Sequence, residues 1–572
     1  MSVVGQFSGG IVMRHTINTP ALKAALADVL AVLPFFAGRA YFADDGSLDV
    51  SYPLPGPPSS SAELGNSANV PAGPVYGARF AAASTSASLS DVMAALEGDG
   101  GRARVLQSPW GLVPGLMPPH DLDALVQGQW PLAGGLVLHL RGGGAVLWVG
   151  AHHGLADFES LQVLAGHWAA AYNARVVDGQ TGGRGSSGSG AAAAAGARAG
   201  AGAGPVQDAL GAGPRSYLEL LPEQLRQPFM DGEAVDALAD WAPPAAGLPP
   251  RREVVAGGRW SGLGVVGKAL WHMVWRGGGV SARCLRVSGS RLAELKAQAT
   301  RELAAARAAA GPAAGPAAAG PAAAGTAAAG PAAAGASREA EADDKPVEWV
   351  STNDALVARL MQVLHSRVPL RRRHPVSCFM AADMRRRQEP TGERVQLPAA
   401  QVGNLTYSAR LENLRPADMS LGALAAAMRR ELLYHLWPQF RGCLARTAAA
   451  LAAVGPKRLV WGFCAERDLH ENIFAPEGPI NLTNWDVDYS LWQFGPSPPL
   501  AFIPPSAELG PSVICVVPEP PPESLQHPQQ QSQGQQGQGK GSAGRGVVLM
   551  LSMHNAAWRQ LDAAGVDLAT AI

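Results

Sequence analysis

Gly150-Ala151-His152-His153-Gly154-Leu155-Ala156-Asp157-Phe158 is the stretch on which the reading of this chain turns. Before it, residues 145–149 are an unbroken apolar run of strand type. After it, Leu161, Leu164 and Trp168 recur three and four residues apart, the spacing of one helix face. A histidine pair therefore sits on a tight strand-to-helix turn, with an acid at the helix start. Rigid elements on both sides can hold a side chain to the tolerance that catalysis needs. Histidine is the usual general base near neutral pH, because its unperturbed pKa lies close to the working pH. His153 is thus the candidate catalytic base. Asp157, four residues on, would orient or lock the backbone around it. Two other readings use the same residues. Asp157 can be the N-cap of the helix, accepting its orphan N–H groups. A metal would take His and Asp as ligands, but no third ligand stands at a recognisable spacing, so no metal is expected.

Working outward, residues 136–140, Gly142-Gly143-Gly144 and residues 145–149 read as a hairpin that delivers the chain to His153. Residues 21–33 read as a helix with Leu22, Leu26, Val29, Leu30 and Leu33 on one face, ended by Pro34. A strand is expected around residues 10–13 and another near Tyr41, and residues 53–75 read as loop. Downstream, 178–204 is almost wholly Gly, Ser and Ala, 309–336 repeats Gly-Pro-Ala-Ala-Ala, and 518–546 is rich in Pro and Gln. The repeat lacks a Gly-X-Y period, so it is not collagen-like. Such compositions bury too little apolar surface to repay the entropy of ordering, and all three segments are expected to be disordered. Between and beyond them, strands are expected at 284–287, 376–382, 480–485, 512–517 and 547–552. Helices are expected at 291–308, from the cap Ser351-Thr352-Asn353-Asp354 onward, at 421–436 and at 553–562. Strands and helices alternate in both halves. The implied fold class is α/β, in two similar-sized halves with two layers each and the site in the crevice between them. The expected division is 1–177, a low-complexity segment and crossover at 178–280, and 281–572.

Composition bounds the function. The 572 residues suffice for two or more domains, and 47% apolar content argues against a disordered protein. Lys+Arg and Asp+Glu are 46 each, so net charge gives no case for a nucleic-acid partner. No apolar run reaches membrane-spanning length. The five cysteines, at 284, 378, 443, 464 and 515, are scattered and odd in number. Reduced thiols in a reducing compartment fit best. With no basic-then-apolar leader at the N-terminus, a cytoplasmic location and a monomer are expected.

Taken in order, these landmarks resemble the BAHD family of acyl-CoA-dependent acyltransferases. His153 to Asp157 matches its HxxxD(G) motif, with Phe158 where the family usually has Gly. Leu22-Lys23-Ala24-Ala25-Leu26 through Ala37-Gly38-Arg39 is similar to its early LKxSL…AGR segment, and Trp168 to the tryptophan of the helix after HxxxD. Ser351-Thr352-Asn353-Asp354-Ala355-Leu356 resembles the start of its mid-chain helix. Asp383-Met384-Arg385-Arg386-Arg387 followed by Gly403-Asn404 resembles its DxRxR…GN signature. Two features depart from the pattern. DFGWGxP survives only as Gln493-Phe494-Gly495-Pro496-Ser497-Pro498-Pro499, and the first strand and LSxxD segment are not evident.

The resemblance implies a two-domain fold of the chloramphenicol acetyltransferase type with the site at the domain interface. It implies acyl-CoA as co-substrate, no bound cofactor, and a small-molecule alcohol or amine as acceptor. His153 would take the acceptor proton, and Asp157 would point away from substrate and pair with Arg385. The oxyanion donors or acceptor pocket are sought at Thr483 and Trp485. Shikimate-using members carry an arginine two residues after the matching tryptophan. Here that position is Val487, after Asp486, so shikimate is not expected as acceptor. Two alternatives remain open. One is a condensation-type or wax-ester-type HHxxxDG acyltransferase, suggested by the His152-His153 pair. The other is a non-catalytic binding member of the fold, suggested by the eroded 493–499 segment and the long inserts.

Overall fold

A computed structural model describes residues 6–42, 48–51, 77–97, 130–154, 156–181, 270–310, 346–387, 402–437, 439–440, 475–504, 512–521 and 544–572. The loop read at 53–75 and most of each low-complexity segment lie outside the described residues. The first half contributes β1 (Gln6–Met13), β2 (Arg39–Phe42), β3 (Leu48–Ser51), β4 (Arg79–Ser88), β5 (Ala133–Arg141) and β6 (Ala145–His152), with helices α1 (Thr19–Val32), α2 (Leu89–Glu97) and α3 (Phe158–Thr181). The second contributes β7 (Val280–Val287), β8 (Val376–Asp383), β9 (Thr406–Leu414), β10 (Ile480–Asn484), β11 (Ala501–Ile503), β12 (Val513–Pro518) and β13 (Val547–His554). Its longer helices are α4 (Gly289–Ala310), α5 (Thr352–Arg367), α6 (Leu421–Arg430) and α7 (Asn555–Ala563). The architecture is mixed α/β, as the alternation of elements implies. One sheet runs β11-β1-β6-β5-β4, a second β7-β13-β12-β10-β8-β9, and β2 pairs with β3.

The hairpin expected before His153 is β5–β6, antiparallel from Ala133 opposite Ala151 to His139 opposite Ala145. All eight residues of β6 are buried. The apolar run is continuous because β6 is an inner strand, covered on both faces and paired on both sides. Along β1 the two-residue period of a strand separates the two faces. Ile11 and Met13 pack with α1 and α3, while Val12 joins Leu136, Val146, Trp148 and Val92 of α2. Trp168 is fully buried and donates its indole N–H to the Leu22 carbonyl at 2.9 Å, locking α3 onto α1.

Among the described residues, α4, α5, α6 and α7 pack on one face of the second sheet. Leu285, Val287, Met380, Ile480, Leu482, Ile514 and Leu549 pack with α4, α5, α6 and α7. From the opposite face, Cys284, Cys515, Val517 and Met550 join the apolar cluster of the first half. The two halves thus share one core across their interface. Cys284, Cys378 and Cys515 are buried free thiols. Burial pushes the Cys284 and Cys378 thiols up to about 12.

Four sequence expectations need correction. First, β11 comes from the second half in sequence yet pairs antiparallel with β1, Gly10 opposite Ile503 and Val12 opposite Ala501. Trp485, Val487, Tyr489, Trp492 and Phe494 also pack in the first half's core. A boundary at 281 is therefore crossed by a returning segment. Second, α3 continues to Thr181, past the boundary expected at 177. Third, Met553 and His554 belong to β13, because pairing with Ser281 and Val280 of β7 claims them before α7 starts. A short helix at Leu568–Ala571 then follows α7, so 553–562 is not the last element. Fourth, the helix expected over 421–436 changes at Glu431–His435 to a π-helical turn.

Candidate active site

His153 follows the last residue of β6 and precedes α3, on the turn read from sequence. Its Nδ1 lies 3.1 Å from the Ala156 carbonyl oxygen. A carbonyl can only accept, so Nδ1 carries the proton and Nε2 keeps its lone pair. The Phe7 ring packs on the imidazole, centroids 4.7 Å apart. Burial holds the His153 pKa below the ordinary histidine value, against the opposing pull of the Ala156 carbonyl and the Asp157 charge. The neutral, basic form is thereby favoured. His152 is buried on the other side of the strand end, and its Nδ1 accepts the Gly154 N–H at 3.2 Å.

Asp157 combines two of the roles considered for it. Its Oδ1 accepts the Ser160 N–H at 3.0 Å, as an N-cap does. It also faces Arg385 in a two-pronged pair, Nη1 to Oδ2 at 2.7 Å and Nη2 to Oδ1 at 3.1 Å. Both side chains are buried, 3% and 1% exposed. The Leu405 N–H adds a bond to Oδ2 at 2.8 Å. With these donors the Asp157 oxygens are fully engaged, which fits an anchoring group rather than a proton carrier. Burial pushes the carboxyl up, but the Arg385 guanidinium and the N–H donors outweigh it and hold Asp157 below the usual carboxylate range. Burial pulls Arg385 down, and the Asp157 and Asp383 charges more than restore it. Arg385 reaches this position because Asp383 ends β8 and caps the 3-10 turn Met384–Arg386, accepting the Arg385 N–H at 3.0 Å.

Three contributors were not given a role by sequence reasoning. Ser160 is fully buried. Its hydroxyl lies 2.9 Å from Asp157 Oδ1 and 2.8 Å from the Gly403 carbonyl oxygen, and it accepts the Gly403 N–H at 3.0 Å. Gly403 has φ +138°, a backbone conformation that L side chains rarely adopt, and its carbonyl also accepts Arg385 Nη2 at 2.9 Å. Asn404 donates its side-chain N–H to the His153 carbonyl. The readable signal was the Asp157-to-Ser160 spacing of three at a helix start. Gly403-Asn404 stood out only as part of a motif, and their contacts across the interface leave no local trace.

Phe7 lies between Trp485 and His153. Trp485 is buried, packs edge-on to Phe7 at 6.1 Å and stacks on Phe158 at 4.3 Å. Phe158 thus fills the space beside the tryptophan with a ring. Thr483 pairs in register with Cys515, a residue of the interface cluster, so its side chain turns toward the first half. The eroded 493–499 segment still packs. Phe494 is fully buried edge-on to Trp168, and Asn173 binds both the Gln493 carbonyl and the Gly495 N–H. Among the described residues no group of three or more His, Cys, Asp or Glu side chains could hold a metal ion. None of their helices is long and apolar enough to cross a membrane.

No family model matches the sequence, and no curated protein matches it. Solved structures do. F. sporotrichioides TRI101 complexed with coenzyme A and T-2 is 15% identical, with a TM-score of 0.52 over 98% of this chain and 94% of that one. F. graminearum TRI101 complexed with coenzyme A and deoxynivalenol is also 15% identical, with a TM-score of 0.50 over 99% and 95%. At this identity the likeness shows a shared fold alone, of the mixed α/β class that the alternation of elements implies.

Proposed function

We propose that this chain transfers an acyl group, other than an amino-acyl group, from acyl-CoA to a small-molecule alcohol or amine, with His153 as general base. The observation that carries the reading is the His153 imidazole. Its Nδ1–H is committed to the Ala156 carbonyl and its pKa is lowered by burial, so Nε2 is the basic atom near neutral pH. The TRI101 structures, complexed with coenzyme A, support acyl-CoA as the donor. Nothing in the reaction calls for a resident cofactor or metal.

The steps follow from elementary chemistry. Nε2 takes the proton from the acceptor hydroxyl or amine as its oxygen or nitrogen attacks the thioester carbonyl carbon. General-base assistance of this kind contributes about 10²–10⁴-fold. The carbonyl π electrons move to oxygen, giving a tetrahedral oxyanion that needs preorganised donors. The Thr483 hydroxyl, turned toward the interface, is our candidate donor, and Trp485 a wall of the acceptor pocket. The oxyanion then collapses, the carbon–sulfur bond breaks, and the CoA sulfur takes the proton back from the His153 imidazolium. Ester or amide and free CoA thiol leave, and the base is regenerated.

Acceptor chemistry follows from the residues after Trp485. Val487 is 2% exposed and packs in the first half's core, so nothing at that position can grip a carboxylate as a guanidinium would. Asp486 is exposed. A neutral alcohol or cationic amine is favoured over shikimate, the amine the more so if Asp486 faces the pocket. The buried free cysteines fit a reducing, cytoplasmic location, and the enzyme is expected to act as a monomer. His152 is taken up in shaping the turn, which favours this reading over a carrier-protein condensation enzyme. The test is thiol release from a panel of acyl-CoAs against polyamines, fatty and aromatic alcohols, and shikimate. Wild type should release thiol with at least one amine or alcohol, and His153→Ala should abolish it with circular dichroism and melting unchanged. Full activity in a folded His153→Ala protein sinks the mechanism. Efficient ester formation on shikimate sinks the acceptor assignment.

A further inference from the structure

His153 belongs to neither of its flanking elements. β6 ends at His152 and α3 begins at Phe158. The residue after it is Gly154, and the N–H of the 153–154 peptide is held within the turn by His152 Nδ1 at 3.2 Å. The imidazole must stay aligned on the Ala156 carbonyl, 3.1 Å away, to keep its tautomer. A second restraint on the same peptide comes from the other half of the molecule, where the Asn404 side-chain N–H binds the His153 carbonyl. The Asn404 amide is oriented in turn, because its Oδ1 accepts the Thr406 N–H at 3.3 Å. Its backbone is held from both sides. Gly403 is pinned through its N–H and carbonyl to Ser160, and through its carbonyl to Arg385, while Leu405 donates its N–H to Asp157.

We propose that Asn404 is a positioning residue for the base. It fixes the His153 peptide from across the domain interface, so that the orientation of the imidazole depends on the docking of the two halves. Its effect runs through the placement of Nε2.

The inference rests on the acyltransferase reading only for one arm of its test. Asn404→Leu keeps the size and branching of the side chain and removes the donor. In thiol-release kinetics, kcat should fall by about 10²-fold, the order of loss that a 1 Å misplacement produces, while KM for acyl-CoA stays unchanged. In the second arm, diethyl pyrocarbonate modifies neutral imidazoles, and peptide mass spectrometry reports the rate at His153 alone. That rate should rise several-fold in Asn404→Leu, because the ring is freed from the Ala156 carbonyl and from its packing. If Asn404→Leu misfolds, Asn404→Ala removes the same donor without added bulk and is read in its place. An unchanged kcat together with an unchanged modification rate at His153 would falsify the proposal. A wild-type protein that releases no thiol strikes only at the acyltransferase reading, and the modification arm still decides this one.

Discussion

The surroundings of the His153 side chain suit it to the base role that we propose, a role that its residue type only permits. Any histidine can be a base near neutral pH. This one is committed to a single tautomer by the Ala156 carbonyl and kept neutral by burial. Its pKa in the folded chain lies below the ordinary value of about 6.5, which fixes the pH dependence. The acidic limb of the kcat/KM profile should rise through an apparent pKa below that value, and a limb at or above it would contradict the assignment. The sign for stability follows from linkage. At a pH between the two values the unfolded chain binds a proton at this site and the native chain does not. The His153 contribution is therefore fully present above the unfolded value and is lost as pH falls through the lower folded one. From sequence, residue type and spacing were enough to single out His153 and Asp157. Ser160 and Asn404 were not assigned a role, because their contacts to Gly403 and to the His153 carbonyl span 243 and 251 positions of chain.

Elements carry these residues to one another, and the tie between them is the Asp157–Arg385 pair. It joins the start of α3 to the 3-10 turn after β8, two elements from opposite halves. Breaking a buried pair leaves a charge without compensation, at a cost of about 3–5 kcal/mol. Asp157→Ala should thus lower the melting temperature as well as the activity. In a double-mutant cycle Asp157→Ala and Arg385→Ala should couple by about 0.5–3 kcal/mol in chemical denaturation, and strict additivity would refute the pairing. The Asp157 carboxyl lies below the usual carboxylate range in the folded chain. Its stabilisation is accordingly present above the unfolded value of about 3.9 and lost as pH falls through the lower native value. Most elements were legible because their signals are local. Ser351 caps α5 in a capping box with Asp354, and the apolar run before His152 is strand β6. The ends of elements were less so. β13 runs through His554 because β7 lies beside it, and nothing within residues 553–562 announces that neighbour.

At the scale of the molecule, the halves are not independent units. β11 completes the first half's sheet from residue 501 onward, and Trp485, Trp492, Phe494 and Phe502 complete its core. A chain ending at 181 should therefore lack cooperative unfolding and be degraded rapidly in limited proteolysis. Mixing it with a separate 270–572 chain should restore protection, and a 1–181 chain that unfolds cooperatively alone would overturn this account. The site inherits the same dependence, since His153 and Asp157 come from one half and Arg385, Gly403 and Asn404 from the other. By itself the sequence determined the alternation of strands and helices, the turn that bears the base and the type of residue placed on it. Periodicity, caps and turn residues act over a few positions and can be read there. Only the tertiary structure decided which half β11 would join, which groups would join Arg385 around Asp157, and what would hold the His153 carbonyl. Those outcomes depend on burial and pairing between segments hundreds of residues apart, and such partners are chosen by packing in space rather than by neighbours in the chain.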